Sequence, residues 1–366
     1  MPDLRPSLLD GLLLCAAAAF VLAWAAPERT AAIFLLACAG MVPLAAWIGR
    51  ATEHLADRVG EGLGGLLSAT FGNAAELIVG IAALRHGLLS VVKASITGAI
   101  LGNVLLVLGA AILAGGLRVK VQRFNQAGVS AQATMLTLAA IALLAPAFFH
   151  YELGTGHAGR EASLALAISV VLLLTYACGL VFSLRTHRLL FGGRSDEGAS
   201  HARNVRQGGR RAGAAWLGVL AVATVLVAVL SEVLVSALVP AARALGLNQV
   251  FIGMVVLAIS SNAAEHLSAV RVARHDRMDL AVGIALGSSI QIALFVAPFF
   301  VLISRWIAPQ PMDFAFSLQE VAAVGAAVLI AGQVASDGES NWLEGVQLLA
   351  VYAILAAAFY FLPGGG

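Results

Sequence analysis

Apolar runs of about 20 residues, the length a helix needs to cross the hydrocarbon core of a bilayer, recur along the whole chain. Short segments carrying charge, proline or glycine separate them. Cutting at those separators gives eleven stretches, at 7–26, 31–50, 63–84, 91–115, 128–147, 161–184, 213–239, 246–271, 279–303, 318–335 and 341–362. No run alternates apolar and polar residues as a lipid-facing strand would. The pattern therefore predicts an all-α membrane protein of eleven transmembrane helices.

Composition agrees with the pattern. Of 366 residues 60% are hydrophobic and 11% charged, against about 25% charged in soluble domains. The first stretch has a rival reading as a signal peptide, because Arg5 precedes an apolar core and Trp24-Ala25-Ala26 offers a small-residue cleavage site. Its apolar run is longer than a usual signal core, so a retained helix is expected. Cys15, Cys38 and Cys178 lie in separate stretches without ligand spacing and read as small hydrophobes.

Charge sets the expected orientation. Of the 22 Lys and Arg residues, six (Arg29, Arg85, Lys93, Arg160, Arg243 and Arg305) fall on the side opposite the N-terminus, and the others share its side. The positive-inside rule then puts the N-terminus in the cytoplasm and, after eleven crossings, the C-terminus outside. The longest polar segment, 185–212, is Gly- and Arg-rich and reads as a basic cytoplasmic linker. It divides the chain into an extra N-terminal helix at 1–30, a five-helix segment at 31–184, the linker, and a second five-helix segment at 213–366.

One phrase occurs twice. Gly72-Asn73-Ala74-Ala75-Glu76 sits in the third stretch and Ser261-Asn262-Ala263-Ala264-Glu265 in the eighth. Gly64 precedes Glu76 by twelve residues, and Gly253 precedes Glu265 by twelve. Gly98-Ala99-Ile100-Leu101-Gly102-Asn103 in the fourth stretch answers Gly283-Ile284-Ala285-Leu286-Gly287-Ser288 in the ninth. The copies are five helices apart, an odd number, so they enter the membrane from opposite faces. That is the inverted-topology repeat of many secondary transporters, with the substrate site near the midplane. An ionisable residue at that depth costs roughly 2.5–3.5 kcal/mol on insertion scales, and two in matched wording point to a paired site.

Asn and Glu at i and i+3 share a helix face. The fourth and ninth stretches add neutral oxygens: Ser95, Thr97 and Asn103, then Ser288, Ser289 and Gln291. Two carboxylates with amide and hydroxyl oxygens and no sulfur make a hard-cation site, suited to Ca²⁺ with its 6–8 oxygen ligands. His266 follows Glu265 directly and so points elsewhere on the helix; packing and tuning of Glu265 both stay open as its role.

These motifs resemble those of the calcium/proton exchangers of the cation/calcium exchanger superfamily. The first repeat carries the likeness from Ala51-Thr52-Glu53-His54-Leu55-Ala56 through Gly64 to Phe71 and into Gly72–Glu76; the second carries it from Gly283 to Phe295. The resemblance implies eleven helices, the first outside the repeats. It also implies proton-driven Ca²⁺ export, with Glu76 and Glu265 binding the cation and Asn73, Asn262 and the Ser288–Gln291 region nearby. Ser261 stands where the family often has Gly. The loop after the sixth helix holds only Asp196 and Glu197 among arginines, which does not favour a Ca²⁺-gathering role.

Charge balance points the same way. Without a cation, two buried carboxylates suffer desolvation and mutual repulsion, so the low-energy states hold two protons or one divalent cation. Such a site is an antiporter. Glu53, after the second stretch, and Glu232, in the seventh, occupy corresponding elements and are candidate entrance acids. Sodium coupling is the main rival, but the sodium/calcium branch typically has Pro before the acid, and here Asn-Ala-Ala-Glu stands instead. The same oxygens suit Mn²⁺ and Cd²⁺. No cofactor is expected beyond transiently bound Ca²⁺. The expected partners are Ca²⁺, H⁺ and the bilayer, without nucleic acid and with oligomeric state open. The Ala/Arg-rich composition points to a bacterial plasma membrane.

Overall fold

A computed structural model of the chain describes residues 8–59, 64, 67, 68, 70–153, 158–187 and 210–362. Most of the expected 185–212 linker lies outside the described residues, as does much of the first half of the 63–84 stretch. The described chain is almost entirely helical. In order it contains α1 (Leu13–Ala25), α2 (Thr30–Val59), α3 (Ala74–Arg85), α4 (Leu89–Gly116), β1 (Gln122–Arg123), α5 (Gln126–Leu153), α6 (Gly159–Thr186) and α7 (Arg210–Leu245). It continues with α8 (Gln249–Ala273), α9 (Met278–Ile307), α10 (Leu318–Val334), β2 (Glu339–Ser340) and α11 (Trp342–Tyr360). Eight of these, α2, α4–α9 and α11, are long and apolar enough to cross a membrane; α1 and α10 are shorter apolar helices.

Helix ends follow local chemistry. Ser317 and Asn341 open α10 and α11 with capping boxes to Glu320 and Glu344. Asn248 caps α8 by accepting the Phe251 N–H at 2.6 Å. Its amide donates to the Phe359 carbonyl at 2.9 Å, tying down the end of α11. At the close of α3 the Leu88 N–H bonds the Ala83 carbonyl and Gly87 the Leu84 carbonyl. At the close of α8 the Arg277 N–H bonds Val272 and Asp276 bonds Ala273. Both are Schellman endings, which need a left-handed residue: Gly87 has φ 72° and Asp276 has φ 59°. The residues before them match too, Arg85-His86 and Arg274-His275.

The chain forms two compact units. The first holds Met1–Ala82, Leu180–Leu247 and Ser260–Ala264; the second holds Ala83–Gly179, Asn248–Ile259 and Glu265–Gly366. In the first unit α2 and α7 pack along their lengths. Their buried stripes include Phe34, Ala37, Met41, Leu44 and Ile48 on α2, and Ala223, Val227, Leu230, Leu234 and Leu238 on α7. Spacings of three and four residues put each set on one face. Toward the end of this seam the rings of His54 and Trp216 stack at 4.3 Å. Helix α1 docks where Gly40 lacks a side chain; a methyl group there would lie 2.6 Å from the Ala16 nitrogen.

In the second unit α4 is the central helix. Its hydrophobic window is 83% buried, against 22% for α6 and 17% for α11, whose outer faces are left for lipid. One feature has no counterpart in the hydropathy pattern. Strands β1 and β2 pair antiparallel, Gln122 with Ser340 and Arg123 with Glu339. An Arg123–Glu339 ion pair at 3.0 Å and the Gln122 amide on the Ile112 carbonyl at 2.8 Å hold the bridge to the end of α4. Two-residue strands are too short to leave a period-two signal.

Candidate functional site

The two copies of the Asn-Ala-Ala-Glu phrase adopt different backbones. In the first, Gly72 and Asn73 form a turn, and α3 begins at Ala74. The Asn73 carbonyl accepts the Leu77 N–H at 2.9 Å, which makes Asn73 the residue that opens the helix. The expected helix face shared by Asn73 and Glu76 is thus a helix start. Glu76 lies in the first turn of α3, where the positive end of the helix dipole favours a carboxylate. Asn73 is fully buried and Glu76 half-buried.

In the second copy the helix runs through. Asn262 is buried, Glu265 and His266 are half-buried, and all three lie inside α8. The irregularity comes earlier, as a π-helical stretch at Ile252–Leu257. The Asn262 amide donates to the Ser261 hydroxyl at 3.3 Å, and Ser260 hydrogen-bonds the buried Cys38 of α2. Glycine at 72 and serine at 261 fit this contrast: the copy that breaks its helix has the residue without a side chain.

The partner helices meet in the second unit. Asn103 donates to the Ser288 hydroxyl at 3.0 Å, with both residues buried. Asn103 belongs to a π-helical stretch of α4 (Gly102–Val107), and a second such stretch in α9 (Ile292–Val296) begins just after the half-buried Gln291. Stretches of this kind widen the helix and loosen its hydrogen-bond ladder, and they are frequent at functional sites. The buried Ser289 gives its proton to the Ala285 carbonyl at 3.0 Å. Ser95 is half-buried.

Close backbone contact joins α4 to the π-helical part of α8. A methyl group on Gly98 would overlap the Met254 carbonyl oxygen and lie 2.5 Å from its carbon; one on Gly253 would lie 2.8 Å from the Val91 oxygen. Around Gly102 and Gly287, by contrast, nothing lies within 4 Å of that position.

The starts of α3's and α8's carboxylate phrases, their Schellman endings, the first residues of α4 and α9 and the π-helical stretches all recur about 189 residues apart. This register pairs Gly98 with Gly287 and Gly102 with Gln291. It lies four residues from the pairing of Gly98 with Gly283 that the letters favour, because Gly-Xaa-Xaa-Xaa-Gly occurs in both helices and aligns equally well one turn out.

Glu320 escaped the sequence reading. It is buried in the first turn of α10, and its carboxylate accepts the Ser317 N–H at 2.9 Å, the Ser317 hydroxyl at 2.8 Å and the Thr97 hydroxyl at 3.5 Å. Ser317-Leu318-Gln319-Glu320 reads as an ordinary capping box, which hides its reach across to α4. One turn before Thr97, Lys93 pairs with Asp313 at 2.5 Å and donates to the Ala315 carbonyl at 2.8 Å. Of the candidate entrance acids, Glu53 is exposed and Glu232 half-buried beside the buried Ser231. Arg50, one turn before Glu53 on α2, reaches Asp10 at 3.4 Å. Among the described residues no three His, Cys, Asp or Glu side chains cluster as a resident metal site. The polar side chains of these helices carry amide, hydroxyl and carboxylate oxygens, the donor types a hard cation takes.

The fold and these oxygens define an integral membrane protein of the transporter class. The family model described as sodium/calcium exchanger protein matches residues 29–185 and 215–361, and the chain belongs to that family. It is 47% identical over 341 residues to a Ca(2+)/H(+) antiporter of Aphanothece halophytica, covering 90% of each chain. It is 41% identical over 339 residues to the Ca(2+)/H(+) antiporter ChaA of Bacillus subtilis (strain 168), covering 91% of this chain and 93% of that one. The solved structure of native YfkE superposes with a TM-score of 0.80 at 37% identity, covering 96% of this chain and all of the other.

Proposed function

We propose that this protein is a Ca²⁺/H⁺ antiporter of a bacterial plasma membrane, exporting Ca²⁺ from the cytoplasm in exchange for protons. The observation that carries the reading is the 47% identity to a Ca(2+)/H(+) antiporter across 90% of both chains. Glu76 and Glu265 are the carboxylates that hold either the cation or the protons, and Asn73 and Asn262 supply amide oxygens beside them. Asn103, Ser288 and Gln291 support the same helices from the second rank, with Ser95, Thr97 and Ser289. Glu53 and Glu232 serve the approaches, and His266 is left to tune Glu265.

The chain organisation proposed with it is an extra helix at 1–30, inverted five-helix repeats at 31–184 and 213–366, and a basic cytoplasmic linker at 185–212. The recurrence of helix endings and π-helical stretches near a 189-residue offset supports the repeat. Exposed aromatic residues at the C-terminal ends of α5, α9 and α11 (Tyr151, Trp306 and Phe361) fit one interfacial belt within the second unit. Transport then alternates access by moving the motif helices between inward and outward openings.

The chemistry follows from charge. A desolvated carboxylate pair is stable when its two charges are met by one divalent cation or two protons, so release of Ca²⁺ on one side is coupled to proton uptake there. The test is pH-gradient-driven Ca²⁺ uptake into everted vesicles, with and without Na⁺ at fixed pH. Uptake that is independent of Na⁺ and lost in both Glu76→Gln and Glu265→Gln is the expected result. Wild-type transport by either variant would overturn the site, and strict Na⁺ dependence would overturn the proton coupling.

A further inference from the structure

We infer that Glu320 is a positioning residue for Ca²⁺ binding, acting by fixing the hydroxyl of Thr97; this rests on the antiport reading above. A capping-box glutamate ordinarily sits at an open helix start, yet Glu320 is only 6% exposed and its two carboxylate oxygens have separate tasks. Oε2 takes both donors of Ser317, which completes the cap of α10. Oε1 faces α4 and accepts from Thr97, itself fully buried.

A hydroxyl has one proton and two lone pairs. With its proton committed to a carboxylate, Thr97 presents only lone pairs to its other neighbours, the polarity a cation requires. Three donors converge on Glu320 at the start of α10, so both of its carboxylate oxygens act as acceptors. Thr97 directly precedes Gly98, the point where α4 touches the backbone of α8 at Met254. The bond therefore fixes a side chain one residue from this helix crossing. A glutamine at 320 keeps the shape but can turn an N–H₂ toward Thr97, which would then spend its lone pair as an acceptor.

The experiment measures half-saturating Ca²⁺, maximal rate and melting temperature for Glu320→Gln, Thr97→Val, Thr97→Ser, Ser317→Ala and the Glu320→Gln/Thr97→Val double variant. Glu320→Gln and Thr97→Val are each expected to raise half-saturating Ca²⁺ by about three- to tenfold, the scale of one ordinary hydrogen bond, as its 3.5 Å length requires, with maximal rate kept. The double variant should be no worse than either alone, and Thr97→Ser should restore the wild-type value. Ser317→Ala breaks the cap but leaves Oε1 on Thr97, so it should lower the melting temperature without moving half-saturation. Multiplicative effects in the double variant, or a Glu320→Gln that only melts earlier in the manner of Ser317→Ala, overturn the inference while leaving antiport intact. Absence of proton-driven Ca²⁺ uptake in the wild type overturns the antiport reading and this inference with it.

Discussion

Adding one methyl group at Gly98 tests the crossing of α4 and α8 most directly. Built on the present backbone, the new carbon overlaps the Met254 carbonyl oxygen and sits 2.5 Å from its carbon and Cα, where ordinary contact begins at 3.4 Å. All three atoms are backbone, so no side chain can swing aside. The helices must separate by about 1 Å, and overpacking of a tight core costs about 1–3 kcal/mol or more. Against this stands the higher helix propensity of alanine, worth up to about 1 kcal/mol. The clash wins. Gly253→Ala meets the Val91 oxygen at 2.8 Å and the Ala94 Cβ at 3.0 Å, a milder conflict. Gly287→Ala, the counterpart of Gly98 in the other copy, meets nothing within 4 Å and should be neutral or slightly stabilising. Thermal unfolding in detergent should therefore rank wild type and Gly287→Ala together, Gly253→Ala below them, and Gly98→Ala lowest, by roughly 5–10 °C on the scale of soluble domains. Ca²⁺ uptake should fall in the same order. Equal melting of Gly98→Ala and Gly287→Ala would refute the close crossing and the register that pairs these two glycines.

Breaking the Asn103–Ser288 bond by Asn103→Ala and Ser288→Ala should give a coupling of about 0.6 kcal/mol in a double-mutant cycle, the average for buried polar pairs between membrane helices; strict additivity would deny the bond. Lys93→Met removes the partner of Asp313 and of the Ala315 carbonyl. A cost of about 1 kcal/mol is expected, discounted because Asp313 is one-third exposed, together with faster proteolysis of the 308–317 connection; unchanged proteolysis would show that this pair does not hold the loop. Protons and Ca²⁺ compete for the same carboxylates in the antiport reading. Half-saturating Ca²⁺ should then rise as pH falls, and a pH-independent value would contradict shared sites.

Much of the fold was legible because lipid imposes a strong rule: a crossing segment must be a long apolar helix. The eight long helices lie within or around the expected stretches for that reason. What escaped was local. The π-helical stretches at 102–107, 252–257 and 292–296 change the hydrogen-bond ladder without changing the letters' hydropathy. The β1–β2 bridge is two residues deep. Glu320 was hidden because its capping-box wording explains it completely within its own helix, and only packing reveals Thr97 on the other side. The carboxylate phrases were visible since a charged residue in an apolar run is costly and rare. The wording could not say, however, that one copy begins a helix and the other sits inside one.

That last difference bears on mechanism. Glu76 stands in the first turn of α3, where the helix dipole favours a negative charge. Glu265 stands within α8, where backbone donors are committed to the ladder and no such favour exists. Identical wording therefore places two carboxylates in different backbone settings, one at a helix start and one within a helix. In the antiport reading the pH dependence of uptake should respond more to the ionisable neighbour of Glu265 than to the apolar neighbour of Glu76. His266→Ala, beside Glu265, should shift the pH profile, whereas Leu77→Ala, beside Glu76, should leave its midpoint in place. A shift of equal size in both would remove the asymmetry.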